Sequence, residues 1–304
     1  MERKVYIYIV LAAFLFGTME VALKIGGSDL DPLQLTFVRF LIGGFVILPL
    51  AYKEAKTNNI KLDFHQFCYL TALGILCIPV SMLLFQFGIL NSNASTASVL
   101  ISINPIFTMI FAHFMVNEKL TKGKFISMCV GFAGTIFMIK PWDMQEGNTV
   151  IGIIYMILAA LTFGLYTVLG KKSVKKVGIM VQTSVSFITG SFVLLIIMLF
   201  MGKPVFAGLA EHIWLVGYVG VFVTGIGYWA YFIALKYSDA GTASIAFFIK
   251  PAIAPVMAVL FMHDIILWNT YVGIGLVLLA SFINIREGKK KNVISEQNKN
   301  KIKE

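Results

Sequence analysis

Charged residues are scarce in this chain of 304 residues: only 13% are Asp, Glu, Lys or Arg, about half the share found in a soluble domain. Hydrophobic residues make up 58%, and the mean hydropathy is +0.85. This composition excludes an ordinary water-soluble globular domain. The hydrophobic residues lie in long runs, and a run of about 18 or more is expected to cross a membrane as a helix.

The chain also lacks the motifs of several enzyme classes. It has no Gly-rich phosphate loop ending in Lys-Ser/Thr, no His-Glu-x-x-His, and no Gly-x-Ser-x-Gly at a strand–helix turn. Cys68, Cys77 and Cys129 show no metal-ligand spacing, and His113 and His263 have no neighbours that complete a metal site. We therefore predict no cofactor, no metal and no enzymatic activity.

Ten apolar runs are long enough to span a bilayer. They cover residues 5–25, 33–52, 68–90, 94–116, 124–140, 150–170, 179–201, 212–235, 241–262 and 268–285. The first run follows two basic residues, as in a signal peptide, but it lacks a cleavage site and contains Glu20 and Lys24, so we expect a retained helix. Short linkers predict one all-α bundle of ten transmembrane helices. Residues 287–304 are polar and Lys-rich, which predicts a disordered basic cytoplasmic tail.

The net charge of +10 lies almost entirely in alternate loops. With both termini in the cytoplasm, the lysines and arginines fall in the cytoplasmic loops, and only Lys24, Lys140 and Lys203 lie outside. This is the positive-inside pattern. We interpret the basic charge as a signal of topology in the plasma membrane, where the partner is the lipid bilayer, and not as a nucleic-acid site.

The chain contains an internal repeat. STASVLISINPIF (95–107) resembles GTASIAFFIKPAI (241–253), and residues 94–105 and 240–251 are identical at six of twelve positions. The similarity extends over five helices. Because five is odd, the second unit must have the opposite orientation, and the lysines in KLTKGK (119–124) have no counterpart in IILWNT (265–270). We predict two inverted five-helix repeats, residues 1–147 and 148–286.

Several of these motifs resemble those of the EamA-type drug/metabolite transporters. They are the Phe-Gly pairs at 16–17 and 163–164, FVRF (37–40) and NEKLT (117–121), and the resemblance covers nearly the whole chain. It implies five-plus-five helices around a central cavity and the movement of small metabolites, often amino acids or amines, frequently outward. The second half departs from the family pattern, because HDII (263–266) replaces the Glu-containing signature.

Charges inside the predicted helices mark the candidate site. Lys250 lies near the middle of the ninth predicted helix, where inserting a charge costs about 2.5–3.5 kcal/mol. It either binds an anionic group or loses its proton during the transport cycle, or it is paired inside the bundle for structure. Its repeat partner, Asn104, is neutral, so we predict an asymmetric cavity in which both bind substrate. Glu20 is expected to pair with Arg39 or Lys250, as a coupling site or as a structural ion pair.

Three prolines are predicted to break helices. Pro105 and Pro251 have no N–H, so the carbonyls of Ile101 and Phe247 lose their helical partners, and Pro255 has the same effect four residues further on. The alternative is that these prolines produce kinks that serve packing only. Four polar-tipped side chains suit a pocket for small amphipathic molecules, although packing or a membrane-interface position would suit them as well: Gln86, Tyr166, Trp229 and Tyr231.

The pattern as a whole predicts a secondary active transporter that works by alternating access. Its substrate is expected to be an amino acid or a related organic acid or amine, moved outward by proton coupling or exchange. The protein would act as a monomer or a homodimer. Two alternatives stay open: an intramembrane enzyme that uses Lys250 and Glu20, and a channel-like pore.

Overall fold

The computed structural model describes residues 2–26, 29–139, 147–262 and 268–301, and its regular secondary structure in these ranges is entirely helical. The first part contains α1 (Glu2–Gly26), α2 (Pro32–Thr57), α3 (Phe64–Ile75), the π-helical segment π1 (Leu76–Met82), α4 (Leu83–Leu90), α5 (Ala94–Ile101), α6 (Asn104–Val116) and α7 (Lys122–Ile139). The second part contains α8 (Val150–Val177), α9 (Ile179–Phe200), α10 (Ile213–Gly217), π2 (Tyr218–Gly227), α11 (Tyr228–Tyr237), α12 (Ala240–Ala243), α13 (Ile245–Met262) and α14 (Trp268–Lys301).

The length and hydropathy of these helices are those of a multi-pass membrane protein. In the described residues, seven spans are long and apolar enough to cross a membrane: Val5–Gly26, Pro32–Thr57, Phe64–Leu90, Thr96–Val116, Val150–Val174, Ile179–Phe200 and Ile213–Tyr237. Trp268–Asn284 is a shorter apolar helix. The all-helical membrane fold is therefore confirmed, whereas the count of ten spans stays a prediction.

Local sequence signals set several helix starts. The Asp31 side chain accepts a hydrogen bond from the Leu33 N–H at 2.9 Å, ahead of a proline at the first helical position of α2. Asp63 and Gln66 form a capping box at the start of α3. The Thr149 hydroxyl accepts from the Gly152 N–H at 3.0 Å and caps α8. The positions at which these helices begin are thus encoded by residues at their own N-termini.

The prolines have different effects in the two halves. α5 ends at Ile101 and α6 begins at Asn104, so the helix is interrupted just ahead of Pro105. The predicted breaks at Pro251 and Pro255 are wrong, because α13 runs as one helix through both positions. A proline removes a single N–H donor, and the flanking helical bonds preserve α13. The break falls instead at Ser244, whose hydroxyl donates to the Ala240 carbonyl at 2.8 Å.

Close packing between pairs of helices forms the interior of the bundle. α2 packs along α9, α14 along α7, α1 along α13, and α6 along α8. The backbones of α3 and α9 approach so closely that a Cβ atom on Gly74 would lie 2.1 Å from the Ser186 carbonyl oxygen. The fourth helix of each predicted half therefore packs against the first helix of the other half, and the candidate site lies at one of these contacts.

The last helix extends beyond the apolar region. α14 continues from Trp268 to Lys301. Up to that residue the tail is therefore helical, whereas the sequence predicted disorder. The tail is rich in Lys and also contains Glu, and both residues have favourable helix propensities. A helix that has already been nucleated by packing can therefore propagate into it.

Candidate functional site

The centre of the site is a buried ion pair between α1 and α13. Lys250 Nζ donates a hydrogen bond to Glu20 Oε1, and both side chains are fully inaccessible to solvent. One helical turn away, a Cβ atom on Gly17 would lie 2.8 Å from the Ile253 side chain. Gly17 thus lets α1 approach α13 closely enough for the pair to form. Of the two predicted partners of Glu20, the structure selects Lys250.

Arg39 on α2 adds a second buried cation to this region. Its Nη1 lies 3.1 Å from the sulfur of Met19, and its guanidinium carbon lies 4.8 Å from the centre of the Phe40 ring. Its charge interacts with both Glu20 and Lys250. Within the described part of the chain, Arg39 Nε and Nη2 and Glu20 Oε2 have no hydrogen-bond partner. The predicted Glu20–Arg39 ion pair is therefore not formed.

Aromatic rings enclose the charged groups. Lys250 Nζ lies 5.5 Å from the Phe85 ring centre and 5.8 Å from that of Phe247, distances at which cation–π attraction operates. The ring of Tyr228 packs against Phe40 and Phe16 at 5.6 and 5.1 Å. The low-dielectric surroundings strengthen electrostatic interactions at this site and make an unpaired charge costly.

The two predicted amide ligands have different environments. Asn104 Nδ2 donates to the Ala160 carbonyl at 2.9 Å, and its Oδ1 accepts from the Thr108 hydroxyl at 3.2 Å. Asn104 therefore holds α6 against α8. Gln86 is also fully buried, but neither end of its amide has a hydrogen-bond partner among the described residues. Of the two, Gln86 has the free polar atoms that a ligand would need.

The three aromatic residues that were predicted to contact substrate are buried to different extents. Tyr231 is buried, and its hydroxyl lies 3.2 Å from Thr167 Oγ1. Tyr166 is buried against Phe232, with ring centres 5.8 Å apart. Trp229 is half-buried and packs edge-on against Tyr8 at 5.5 Å. The Tyr231 ring lies 5.3 Å from that of Phe247, which in turn lies beside Lys250.

A second polar cluster lies at the end of the bundle that carries Glu118. Glu118 Oε1 lies 3.2 Å from Lys171 Nζ and accepts from the Ala240 N–H at 3.2 Å. Lys124 Nζ lies 2.8 Å from Asp239 Oδ1. Burial by itself raises the pKa of the Asp239 carboxyl, but the charge of Lys124 and hydrogen bonds from Lys124 and Thr242 outweigh it and lower this pKa to about 2. We call these four side chains the Glu118 latch: Glu118, Lys124, Lys171 and Asp239.

Two lysines at opposite ends of the bundle make equivalent contacts. Lys24 Nζ donates to the Ser92 carbonyl at 3.0 Å, and Lys171 Nζ donates to the Ser238 carbonyl at 2.6 Å. These are the same positions of the sequence repeat. Each lysine therefore ties the end of one long helix to the chain just ahead of a short helix, α5 or α12.

Metal ligands do not converge in the described residues: no group of three or more His, Cys, Asp or Glu side chains is placed to hold an ion there. His113 Nδ1 lies 2.9 Å from the Glu118 carbonyl oxygen, at a helix end. His263 and Asp264 lie outside the described residues.

Sequence reasoning missed the aromatic residues that surround the pair. In an apolar helix a phenylalanine is an ordinary residue, so the hydrophobic pattern does not single out Phe40, Phe85 or Phe247. The sequence does show that two of them lie close to a charged residue. Phe40 follows Arg39 directly, and Phe247 precedes Lys250 by three residues on the same helix face.

The fold and the site together define a multi-pass α-helical membrane protein with a buried charged centre between crossing helices. The EamA-like transporter family model matches residues 3–140 and again residues 150–286. The chain belongs to this family, as its motifs indicated.

Relatives and a solved structure extend this result. An uncharacterized transporter of Clostridium kluyveri is 36% identical over 95% of this chain and 96% of its own length. The uncharacterized transporter YoaV of Bacillus subtilis is 25% identical over 92% of this chain and 96% of its own length. An S-adenosylmethionine uptake transporter of Rickettsia prowazekii is 29% identical over 52% of this chain and 51% of its own. A protein crystal structure with 14% sequence identity shares the fold, with a TM-score of 0.73 over 94% of this chain and 98% of the other.

Proposed function

We propose that the protein is a secondary active transporter that moves a small metabolite across the plasma membrane by alternating access. The observation that carries this proposal is the fully buried Glu20–Lys250 pair on α1 and α13. A substrate can reach this pair only if these helices move apart. A site that is closed until the helices separate suits a carrier better than a continuously open pore.

The internal symmetry of contacts supports an inverted repeat of five-plus-five transmembrane helices. Gly17 packs on Ile253 of α13, and at the equivalent position Gly164 packs on Phe107 of α6. The family model likewise matches the chain twice in succession. Two similar halves of opposite orientation can exchange inward-open and outward-open states at nearly equal energy, with both termini in the cytoplasm.

The asymmetry of the charged centre supports a substrate with an acidic group. Lys250 is charged, whereas its repeat partner Asn104 is neutral and already hydrogen-bonded within the protein. An amino acid or a related organic acid would bring a carboxylate to this positively charged centre. One relative, matched over about half of each chain, is named as an S-adenosylmethionine uptake transporter. We propose export for this chain, driven by protons or by exchange.

The test is uptake of a mixed pool of labelled amino acids into proteoliposomes. The wild-type protein is compared with Lys250→Met and with a matched control, Lys203→Met. Lys203 also forms an ion pair, with Asp31 at 3.0 Å, but it is partly exposed and lies just beyond the end of α9. Saturable flux that is lost in Lys250→Met and retained in Lys203→Met is the expected result.

Other outcomes would change the assignment. Equal flux through wild type and Lys250→Met would reduce Lys250 to a structural residue. Flux that rises linearly with substrate concentration would favour a pore, and chemical conversion of the substrate would favour an enzyme. An imposed proton gradient that stimulates flux would support proton coupling, whereas stimulation by substrate on the opposite side would support exchange.

A further inference from the structure

The central charges of the bundle do not balance. The side chains of Glu20, Arg39 and Lys250 are all fully buried, which gives two cations and one carboxylate. Lys250 is neutralised by Glu20. Arg39 is left with a neutral sulfur and an aromatic ring as its described contacts. Neither contact carries a formal charge, so the centre has one uncompensated positive charge.

The donors that Arg39 leaves unused suit an acidic ligand. In the described residues, its Nε and Nη2 have no hydrogen-bond partner. A guanidinium presents its N–H groups as a planar fork that matches the two oxygens of a carboxylate. Among the described residues, the groups that could supply a negative charge to Arg39 are Glu20, Cys77 and Tyr228. Glu20 is bound to Lys250, and a thiol and a phenol are neutral near pH 7.

Arg39 also belongs to a different helix from either member of the ion pair. Glu20 lies on α1, Arg39 on α2 and Lys250 on α13. A ligand bound to Arg39 would therefore lie beside the pair without needing to break it. Its charge would act on both members, since Arg39 already interacts electrostatically with each of them.

We propose that Arg39 is the anion-binding residue of the transport site and that the substrate is a small organic acid with a net charge of −1. This inference rests on the proposed transport function and specifies its substrate class. A monoanion bound at Arg39 makes the occluded site electrically neutral while Glu20 and Lys250 stay paired. A zwitterionic amino acid has no net charge and leaves the positive charge uncompensated. Acidic amino acids and small monocarboxylates fit this rule.

The experiment compares ligands that have nearly the same size but different charge. Thermal unfolding of the purified full-length protein in detergent is followed with L-glutamate against L-glutamine and with L-lactate against L-lactamide. Apparent dissociation constants are taken from the concentration dependence of stabilisation. The proteins are wild type, Arg39→Gln, Arg39→Lys and the control Lys203→Gln, which removes one positive charge outside the centre.

We expect at least one acid to bind the wild type about tenfold or more tightly than its amide, because hydrogen bonds between charged partners are markedly stronger than neutral ones. Arg39→Gln abolishes this preference, Arg39→Lys keeps it at lower affinity, and Lys203→Gln leaves it unchanged. If Arg39→Gln does not fold, the wild-type preference and its weakening in Arg39→Lys decide the question.

The inference is overturned if neither acid stabilises the wild type, if acid and amide act equally, or if Arg39→Gln retains the preference. These results leave the transport proposal intact, since that proposal is judged by saturable, Lys250-dependent flux of the mixed pool. Conversely, an Arg39-dependent preference for an acid, without saturable flux of that acid, would support the anion site and contradict transport.

Discussion

Removing either member of the Glu20–Lys250 pair should destabilise the protein, and by unequal amounts. Lys250→Met leaves Glu20 and Arg39, whose charges sum to zero. Glu20→Gln leaves Lys250 and Arg39, two like charges in a fully buried region. The larger loss of stability is therefore expected for Glu20→Gln. The double substitution leaves Arg39 alone and restores the net charge of the wild type.

The magnitude follows from the burial of both side chains. Breaking a buried ion pair by removing one partner costs about 3–5 kcal/mol, whereas replacing both partners is often close to neutral. We expect about 3 kcal/mol for Lys250→Met, because Arg39 can compensate the remaining carboxylate, and about 5 kcal/mol for Glu20→Gln. The double variant should lie within about 1 kcal/mol of the wild type.

The assay is equilibrium unfolding by sodium dodecyl sulfate in mixed micelles at pH 7, followed by tryptophan fluorescence and far-UV circular dichroism. The four proteins form a double-mutant cycle, which isolates the interaction between the two side chains. Thr18→Val serves as a control, since its hydroxyl, two residues before Glu20, bonds Tyr218 at 2.5 Å and not the charged centre.

Two results would refute this reasoning. Additive losses in the double variant would mean that Glu20 and Lys250 do not interact in the folded protein. A larger loss for Lys250→Met than for Glu20→Gln would mean that Arg39 does not contribute its charge to the centre, and it would remove the basis for an anion site there.

Three further predictions concern helix contact, gating and pH. Gly17→Leu should abolish flux, because the larger side chain forces α1 away from α13. The control Gly275→Leu should retain flux, because no neighbouring atom lies within 4 Å of a Cβ at that position. Equal flux through the two variants would contradict the role of Gly17. Glu118→Gln removes the carboxylate that contacts Lys171 and the Ala240 N–H. If the Glu118 latch limits access to the interior, this change should speed maleimide labelling of the buried Cys77 once the exposed Cys68 and Cys129 have been replaced, and an unchanged rate would contradict that role. Asp239 has a pKa near 2, below its ordinary 3.8, so its stabilising effect should hold above about pH 4 and fade as the pH drops towards 2; Asp239→Asn should remove this acid-dependent loss, and an unchanged pH profile would contradict it.

Much of the architecture could be predicted from the sequence because its signals are local. Long apolar runs have no stable alternative to helices in lipid, and residues such as Asp31 and Thr149 start helices through bonds to their own neighbours. The break before Pro105 is also local. The continuity of α13 was not predictable in the same way. A proline in the sequence shows which hydrogen bond is lost, but it does not show whether the flanking hydrogen bonds keep the helix intact.

The sequence by itself determined that a lysine, a glutamate and an arginine would be buried in apolar helices, since charges at such positions are costly wherever the helices pack. Only the tertiary structure decided how these charges combine. Glu20 could have reached Arg39 or Lys250, and the close contact of Gly17 with Ile253 brings α1 to α13 and selects Lys250. The same packing leaves Arg39 without an anionic partner among the described residues. Partner choice depends on distances between helices that are far apart in the chain, which no local pattern records.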